Sequence, residues 1–294
     1  MPEPLYPTPY VDVNDALREM LAGVRAVLGA HFAGMYLTGS LALGDFDPRT
    51  SDIDFVVVTT GTLSDDLVGA LRDLHARFDT GASPWAGKVE AVYIPRAALR
   101  YTAPTGAQHP QVEKGRLLFM DQLESGWVFQ CYILREHGVT LAGPDPRTLI
   151  DPVDPDEMRR AAAPIAVIWQ ALAHHDPAWL AWLRERGNQA FVVLTLCRLL
   201  YTLDTGGVAS KPAAARWAQQ TLGGRWPGLL GRSLAGQHDS AATSDSDVTN
   251  TVALIAYAVG RFRQWEAGHP GPDSARDPAA NGEEHSARPD CGLD

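Results

Sequence analysis

The stretch from residue 39 to 58, GSLALGDFDPRTSDIDFVVV, constrains the fold more than any other part of the chain. A short apolar run over residues 34–38 leads into Gly39-Ser40, and after an eleven-residue gap Asp52-Ile53-Asp54 opens a β-branched run over 53–58. Residues i and i+2 of a strand share a face, so Asp52 and Asp54 converge at the strand's start while Ile53 turns into the core. Two carboxylates that close repel unless a cation sits between them, and Mg²⁺ takes oxygen ligands with its other positions left to water and phosphate. Gly39 admits a close backbone approach, and the Ser40 hydroxyl with neighbouring N–H groups suits the terminal phosphates of a nucleoside triphosphate. A bare D-x-D also arises by chance, with Asp52 capping a turn and Asp54 exposed. The flanking G-S and the hydrophobic strand favour the first reading here.

The surrounding pattern is helix, strand, loop, strand, helix, strand. Leu17, Leu21, Val24 and Leu28 recur at helical spacing, which predicts an amphipathic helix over 15–28 capped by Asn14 or Asp15. A second helix is predicted over 64–78 and a third strand over 88–94, where Glu90, Val92 and Ile94 alternate with Val89, Ala91 and Tyr93. If that strand lies beside the Asp52–Asp54 strand, Glu90 is a third carboxylate on the same face, able to share the metal or to take a proton from an incoming hydroxyl. Attack on an α-phosphate would then release pyrophosphate. The segment 105–125 has no clear period, 127–135 is helical, and 143–157 is a Pro-rich connector. Beyond it, 158–174, 188–203, 212–222 and 249–265 have helical periodicity, and 238–248 reads as a polar, mobile loop. The expectation is an α+β chain: an N-terminal extension (1–14), a domain with a mixed sheet and helices (15–150), an α-helical bundle domain (151–266), and a disordered tail (267–294) too poor in apolar residues to offset the entropy of ordering.

Composition narrows the partners. The formal net charge is −10, of which the 267–294 segment supplies −4. An acidic body lacks the basic surface that nucleic acid requires and suits a cationic small molecule. The three cysteines, Cys131, Cys197 and Cys291, are odd in number and far apart, which indicates neither a disulfide framework nor a zinc site and fits the cytoplasm. The N-terminus is Pro-rich without an apolar core, and no 18 apolar residues run together, so no export or membrane segment is expected. A monomer is the default expectation.

The run GSLALGDFDPRTSDIDFVVV resembles the G-S…D-x-D pattern of the DNA polymerase β-like nucleotidyltransferases. With KVEAVYI, LREHGVTLAGP and VVLTLCRLLYTLDTGGVASKPAAARWA in this order, residues 15–266 resemble the aminoglycoside 3''-adenylyltransferases, which act on streptomycin and spectinomycin. The resemblance implies transfer of AMP from ATP to an aminoglycoside hydroxyl, a function of antibiotic resistance. It assigns Ser40 and Ser51 to the triphosphate, Asp52 and Asp54 to Mg²⁺, Glu90 to the catalytic base, and Arg198 and Lys211 to ATP. Residue chemistry points the same way: Arg198, alone in QAFVVLTLCRLLYTL, needs an anion or a snorkelling route to water. Lys211 at a helix start opposes the macrodipole, so a phosphate there explains it better than local stability, with an exposed loop lysine as the alternative. Two positions depart from the family's acceptor pocket. Asn188 stands where the family has an acid, with Glu185 nearest, and no Trp occurs between Ala86 and Gly126. Trp179, Trp182, Glu185, His109 and Glu113 are candidates for an acceptor pocket, against a plain core role for the aromatics. A different small-molecule or protein acceptor, or a non-catalytic nucleotide-binding module, are the rival readings.

Overall fold

The computed structural model describes residues 7–99, 106–123, 126–222, 224–237 and 239–269. The chain parts between Asp154 and Pro155 into two compact units. The first runs α1 (Val11–Leu28), β1 (Phe32–Leu37), α2 (Gly39–Leu43), β2 (Ile53–Thr59), α3 (Asp65–Asp79), β3 (Val89–Pro95), β4 (Gln108–Val112), β5 (Phe119–Gln122), α4 (Trp127–His137) and β6 (Val139–Ala142). One six-stranded sheet forms in the order β5-β4-β3-β2-β1-β6. β2 and β3 are parallel, as a strand–helix–strand unit through α3 requires, and every other neighbouring pair is antiparallel.

Period-2 alternation builds a core on each face of this sheet. Ile53, Phe55, Val57, Val89, Ala91 and Tyr93 pack with Leu17, Met20, Val24, Leu71 and Phe78 of α1 and α3. The alternate set, Val56, Val58 and Ile94, packs with Trp127, Cys131 and Leu134 of α4. Asp54 and Glu90 share the parity of this second set, at the end of the strands where the apolar sequence has not yet begun. α1 starts earlier than its leucine spacing predicts, because Asn14 is not a cap. It lies buried inside the helix, where its amide donates to Thr8 O (2.8 Å) and its carbonyl accepts from Thr8 N (3.1 Å), tying the preceding segment down. Ser64 caps α3.

The second unit contains α5 (Pro155–His175), α6 (Pro177–Trp182), α7 (Arg186–Thr205), α8 (Lys211–Thr221), α9 (Pro227–Ala235) and α10 (Asp245–Gly268). Trp169, Leu194, Leu196, Leu200, Leu254 and Phe262 fill its core, so the fold is the expected mixed-sheet unit followed by a helical one. Of the segment 238–248, His238 lies outside the described residues, and 239–248 is not a free loop. Arg186 N and Gly187 N donate to Ala241 O (2.9 Å) and Asp239 O (2.8 Å), and Thr243 N donates to Arg184 O (2.7 Å). Ser244 then caps α10, whose first turn takes the acidic residues Asp245 and Asp247, charges that suit a helix N-terminus. α10 reaches Gly268, and the rest of the expected disordered tail, from 270, lies outside the described residues. No helix among the described residues is long and apolar enough to cross a membrane.

Candidate active site

β2 and β3 pair in register with Asp54 opposite Glu90, so two of the three sequence-predicted acids are cross-strand neighbours on one face. Asp52 stands just before β2, two residues from Asp54. The end of β1 is fastened to this point: Thr38 N donates to Asp54 O (3.0 Å), and the Thr38 hydroxyl donates to Gln130 Oε1 of α4 (2.8 Å). Gly39 follows with φ +57°, and a Cβ built on it would stand 2.0 Å from Asp54 Oδ2. The Asp54 carboxylate thus lies directly against the Gly39 backbone, and the glycine is required by both the left-handed φ and the contact. Ser40 sits in the first turn of α2. Ser51 closes a tight turn: its N–H donates to Asp47 O (2.8 Å) and its hydroxyl accepts from Asp47 N (3.0 Å). The Arg49 guanidinium on Asp47 holds that carboxyl down at about 2.

Sequence reasoning missed one residue here. The antiparallel register places Val112 opposite Ala91, so the chain leaving β4 is carried back to the start of β3. There Lys114 meets the acids, with its Nζ 3.0 Å from Asp52 Oδ1 and 3.1 Å from Oδ2, and its N–H 3.4 Å from Glu90 Oε1. Asp52 Oδ1 is shut off from solvent yet accepts no hydrogen bond, the ammonium facing it off the bonding geometry. A shielded carboxylate oxygen lacking a donor is the environment of a cation ligand. No group of three or more His, Cys, Asp and Glu side chains among the described residues stands close enough to hold a metal ion. A divalent cation that takes its remaining ligands from phosphate and water needs only one or two protein carboxylates.

In the second unit, Arg198 is buried on α7 with its Nε donating to Ala209 O (3.1 Å), in the turn that leads to α8. Lys211 begins α8, next to the capping Ser210, with its Nζ 5.8 Å from the centre of the Phe191 ring of α7. Both predicted ATP residues are therefore held at the α7–α8 corner. The acceptor candidates scatter. His109 is buried beside Thr59, Tyr93 and Pro95, at the ends of β2 and β3 away from the acids, and burial lowers its pKa. Glu113 is ion-paired with Arg116 at 2.7 Å. Trp179 and Trp182 lie with ring centres 6.1 Å apart in α6, the first buried and the second exposed. Glu185 is the N-cap residue of α7, and the Asn188 amide donates to Trp182 O (3.0 Å) and Glu185 Oε2 (3.4 Å), linking three of these positions locally.

A mixed sheet carrying G-S and paired acids at its strand starts, followed by a helical unit, defines a nucleotidyltransferase. Residues 22–86 match the nucleotidyltransferase domain model, which spans Gly39, Ser40, Ser51, Asp52 and Asp54. Residues 149–259 match the model of the aminoglycoside adenylyltransferase C-terminal domain, which spans Asn188, Arg198 and Lys211. The chain is 27% identical to an aminoglycoside (3'') (9) adenylyltransferase of Shigella flexneri, over 83% of this chain and 94% of that protein. It is 24% identical to a spectinomycin 9-adenylyltransferase of Campylobacter jejuni, over 73% and 81%. In fold it resembles the spectinomycin adenyltransferase AAD(9) of Enterococcus faecialis, solved with ATP and spectinomycin (TM-score 0.63, 17% identity, 85% of this chain and 98% of that one). The chain is thus an enzyme of the nucleotidyltransferase type, and its two halves are similar to the two domains of aminoglycoside adenylyltransferases.

Proposed function

We propose that the protein transfers AMP from ATP to a hydroxyl of an aminoglycoside such as streptomycin or spectinomycin, with Mg²⁺, as a cytoplasmic monomer acting in antibiotic resistance. The observation that carries this reading is the pairing of Asp54 with Glu90 across β2 and β3, with Asp54 held against Gly39. Asp52 and Asp54 would hold the metal, which when bound supplies positive charge against the phosphates. Ser40 and Ser51 hold the triphosphate, and Arg198 and Lys211 bind ATP. Glu90 takes the proton of the acceptor hydroxyl as its oxygen attacks the α-phosphorus. A new P–O bond forms, the bond from the α-phosphorus to the bridging oxygen breaks, and pyrophosphate leaves. Positioning and charge neutralisation carry most of the acceleration in such a transfer.

The acceptor is the open term. The Asn188 amide is engaged by Trp182 O and Glu185, so the position offers no carboxylate of its own, and this favours as a second reading a different small-molecule or protein hydroxyl. The test is pyrophosphate release from MgATP with streptomycin, spectinomycin and other aminoglycosides supplied singly. Release with one drug that disappears in Asp52→Ala and falls at least about a hundredfold in Glu90→Gln supports the reading, that factor being the usual size of a general-base contribution. Full activity in Glu90→Gln would remove it as the base. ATP binding without drug-dependent release would move the search to other acceptors.

A further inference from the structure

The ammonium on Asp52 has a consequence for how the site fills. A divalent cation of the Mg²⁺ type sits about 2.1 Å from its carboxylate oxygen. The Lys114 Nζ stands 3.0 and 3.1 Å from the two oxygens of Asp52, across the mouth of the carboxylate. A second cation on the same oxygens would face the ammonium at contact distance, where like charges repel by far more than thermal energy unless water screens them fully. The two cations therefore compete for the same carboxylate. The turn that bears the lysine is firmly built, which separates motion of the side chain from motion of the backbone. Arg116 N donates to Glu113 O (3.0 Å), Gly115 takes φ +71° as the third residue of that turn, and the Arg116 guanidinium lies 3.7 Å from the centre of the Phe119 ring. Arg72 Nε holds the far side of the loop through Leu118 O (3.1 Å). The Lys114 side chain is about half exposed, so its flexible four-carbon stem can leave Asp52 for water while the turn stays in place.

We propose that Lys114 is a positioning residue of this active site: it neutralises and orients Asp52 before the metal and nucleotide arrive, and it competes with the metal for that carboxylate. The inference rests on Asp52 being a metal ligand. Competition lowers the apparent affinity for the free metal by the strength of the ion pair, which for a half-exposed pair is small, a factor of up to about five. It also discourages metal without nucleotide more than metal delivered with phosphates, because the phosphates give the released ammonium a new anion.

The test measures Mn²⁺ binding to the full chain without nucleotide, by the loss of the free-ion paramagnetic resonance signal, in wild type, Asp52→Asn, Lys114→Met and Lys114→Arg. Mn²⁺ serves as probe because it shares the oxygen preference of Mg²⁺. The expectation is binding about two- to fivefold tighter in Lys114→Met, a return toward wild type in Lys114→Arg, and a large loss in Asp52→Asn. A lysine that only supports the turn would move the melting temperature and leave Mn²⁺ affinity alone. Unchanged or weaker binding in Lys114→Met, with binding still lost in Asp52→Asn, overturns the competition while the metal assignment stands. Undiminished binding in Asp52→Asn overturns the metal assignment and the competition with it.

Discussion

Gly39 has no freedom to carry a side chain, because its φ is +57° and an added Cβ would stand 2.0 Å from Asp54 Oδ2. Gly39→Ala should cost roughly 1–2 kcal/mol through the left-handed backbone alone. The methyl would also displace the Asp54 carboxylate, so acceptor-dependent pyrophosphate release should fall far more than the melting temperature implies. Activity that merely tracked stability would show that the Asp54 position is not critical. His75 carries a different prediction, one of pH. It is buried beneath the sheet with its Nε2 2.7 Å from the Tyr93 hydroxyl, its Nδ1 lacks a partner, and burial lowers its pKa from 6.5 to about 4. The unfolded chain therefore takes up this proton first, and the folded state loses stability as the pH falls from about 6.5 toward 4. Between pH 7 and pH 5 the loss from this group should be about 2 kcal/mol, at 1.36 kcal/mol per unit of pKa. Denaturant unfolding of wild type and His75→Gln at the two pH values measures it as a difference in slope, and equal slopes would refute it.

At the scale of elements, legibility followed periodicity. β2, β3, α1, α3 and the long helices of the second unit were readable because leucine spacing or β-branched runs spell out their faces. β4 was not: QHPQV puts a proline and three polar residues in a strand and so shows no alternation, and β5 (FMDQ) and β6 (VTLA) are too short to show a period. Missing that hairpin meant missing Lys114, since only the β3–β4 register carries it back to Glu90. The turn itself was signalled by Glu113-Lys114-Gly115-Arg116, a sequence with glycine where a left-handed φ is needed. The acids, by contrast, sit beside a strand pattern that declares its own alternation. α6 and α9 were missed as brief helices that begin at proline, although Asp176 before Pro177 is a cap that accepts from Ala178 N and Trp179 N. The pinning of 239–248 was hidden because backbone pairing leaves no pattern in a polar segment. Beside it Gln189, fully buried, donates to the Thr251 hydroxyl (3.1 Å) and accepts from that of Thr243 (3.2 Å), joining this segment to α7 and α10. Gln189→Ala removes both of these bonds, while the Thr251 hydroxyl keeps its own bond to Asp247 O (2.7 Å), and should cost about 1–3 kcal/mol in urea unfolding. A change below about 0.5 kcal/mol would mean the segment holds by its backbone bonds alone.

At the scale of the whole molecule, fold and chemistry do not choose the acceptor, because the same scaffold supports transfer to any hydroxyl that reaches the α-phosphate. Charge does discriminate. With a formal charge of −10, the protein's field attracts a polycation over distances longer than any single contact, and salt weakens that attraction as the screening length shortens to about 10 Å at 0.1 M. If the acceptor is an aminoglycoside, its KM at saturating MgATP should rise several-fold between about 0.02 M and about 0.2 M salt, while kcat stays nearly constant. The reason for the split is that long-range attraction acts on encounter, whereas the positions of Asp54 and Glu90 are fixed by strand register and do not respond to salt. The effect should be steeper for the more highly charged streptomycin than for spectinomycin. A KM indifferent to salt would mean that the field plays no part in capture and that neighbouring groups alone recognise the acceptor. A kcat that fell with salt while KM held would place the sensitivity in the carboxylates and Lys114 instead.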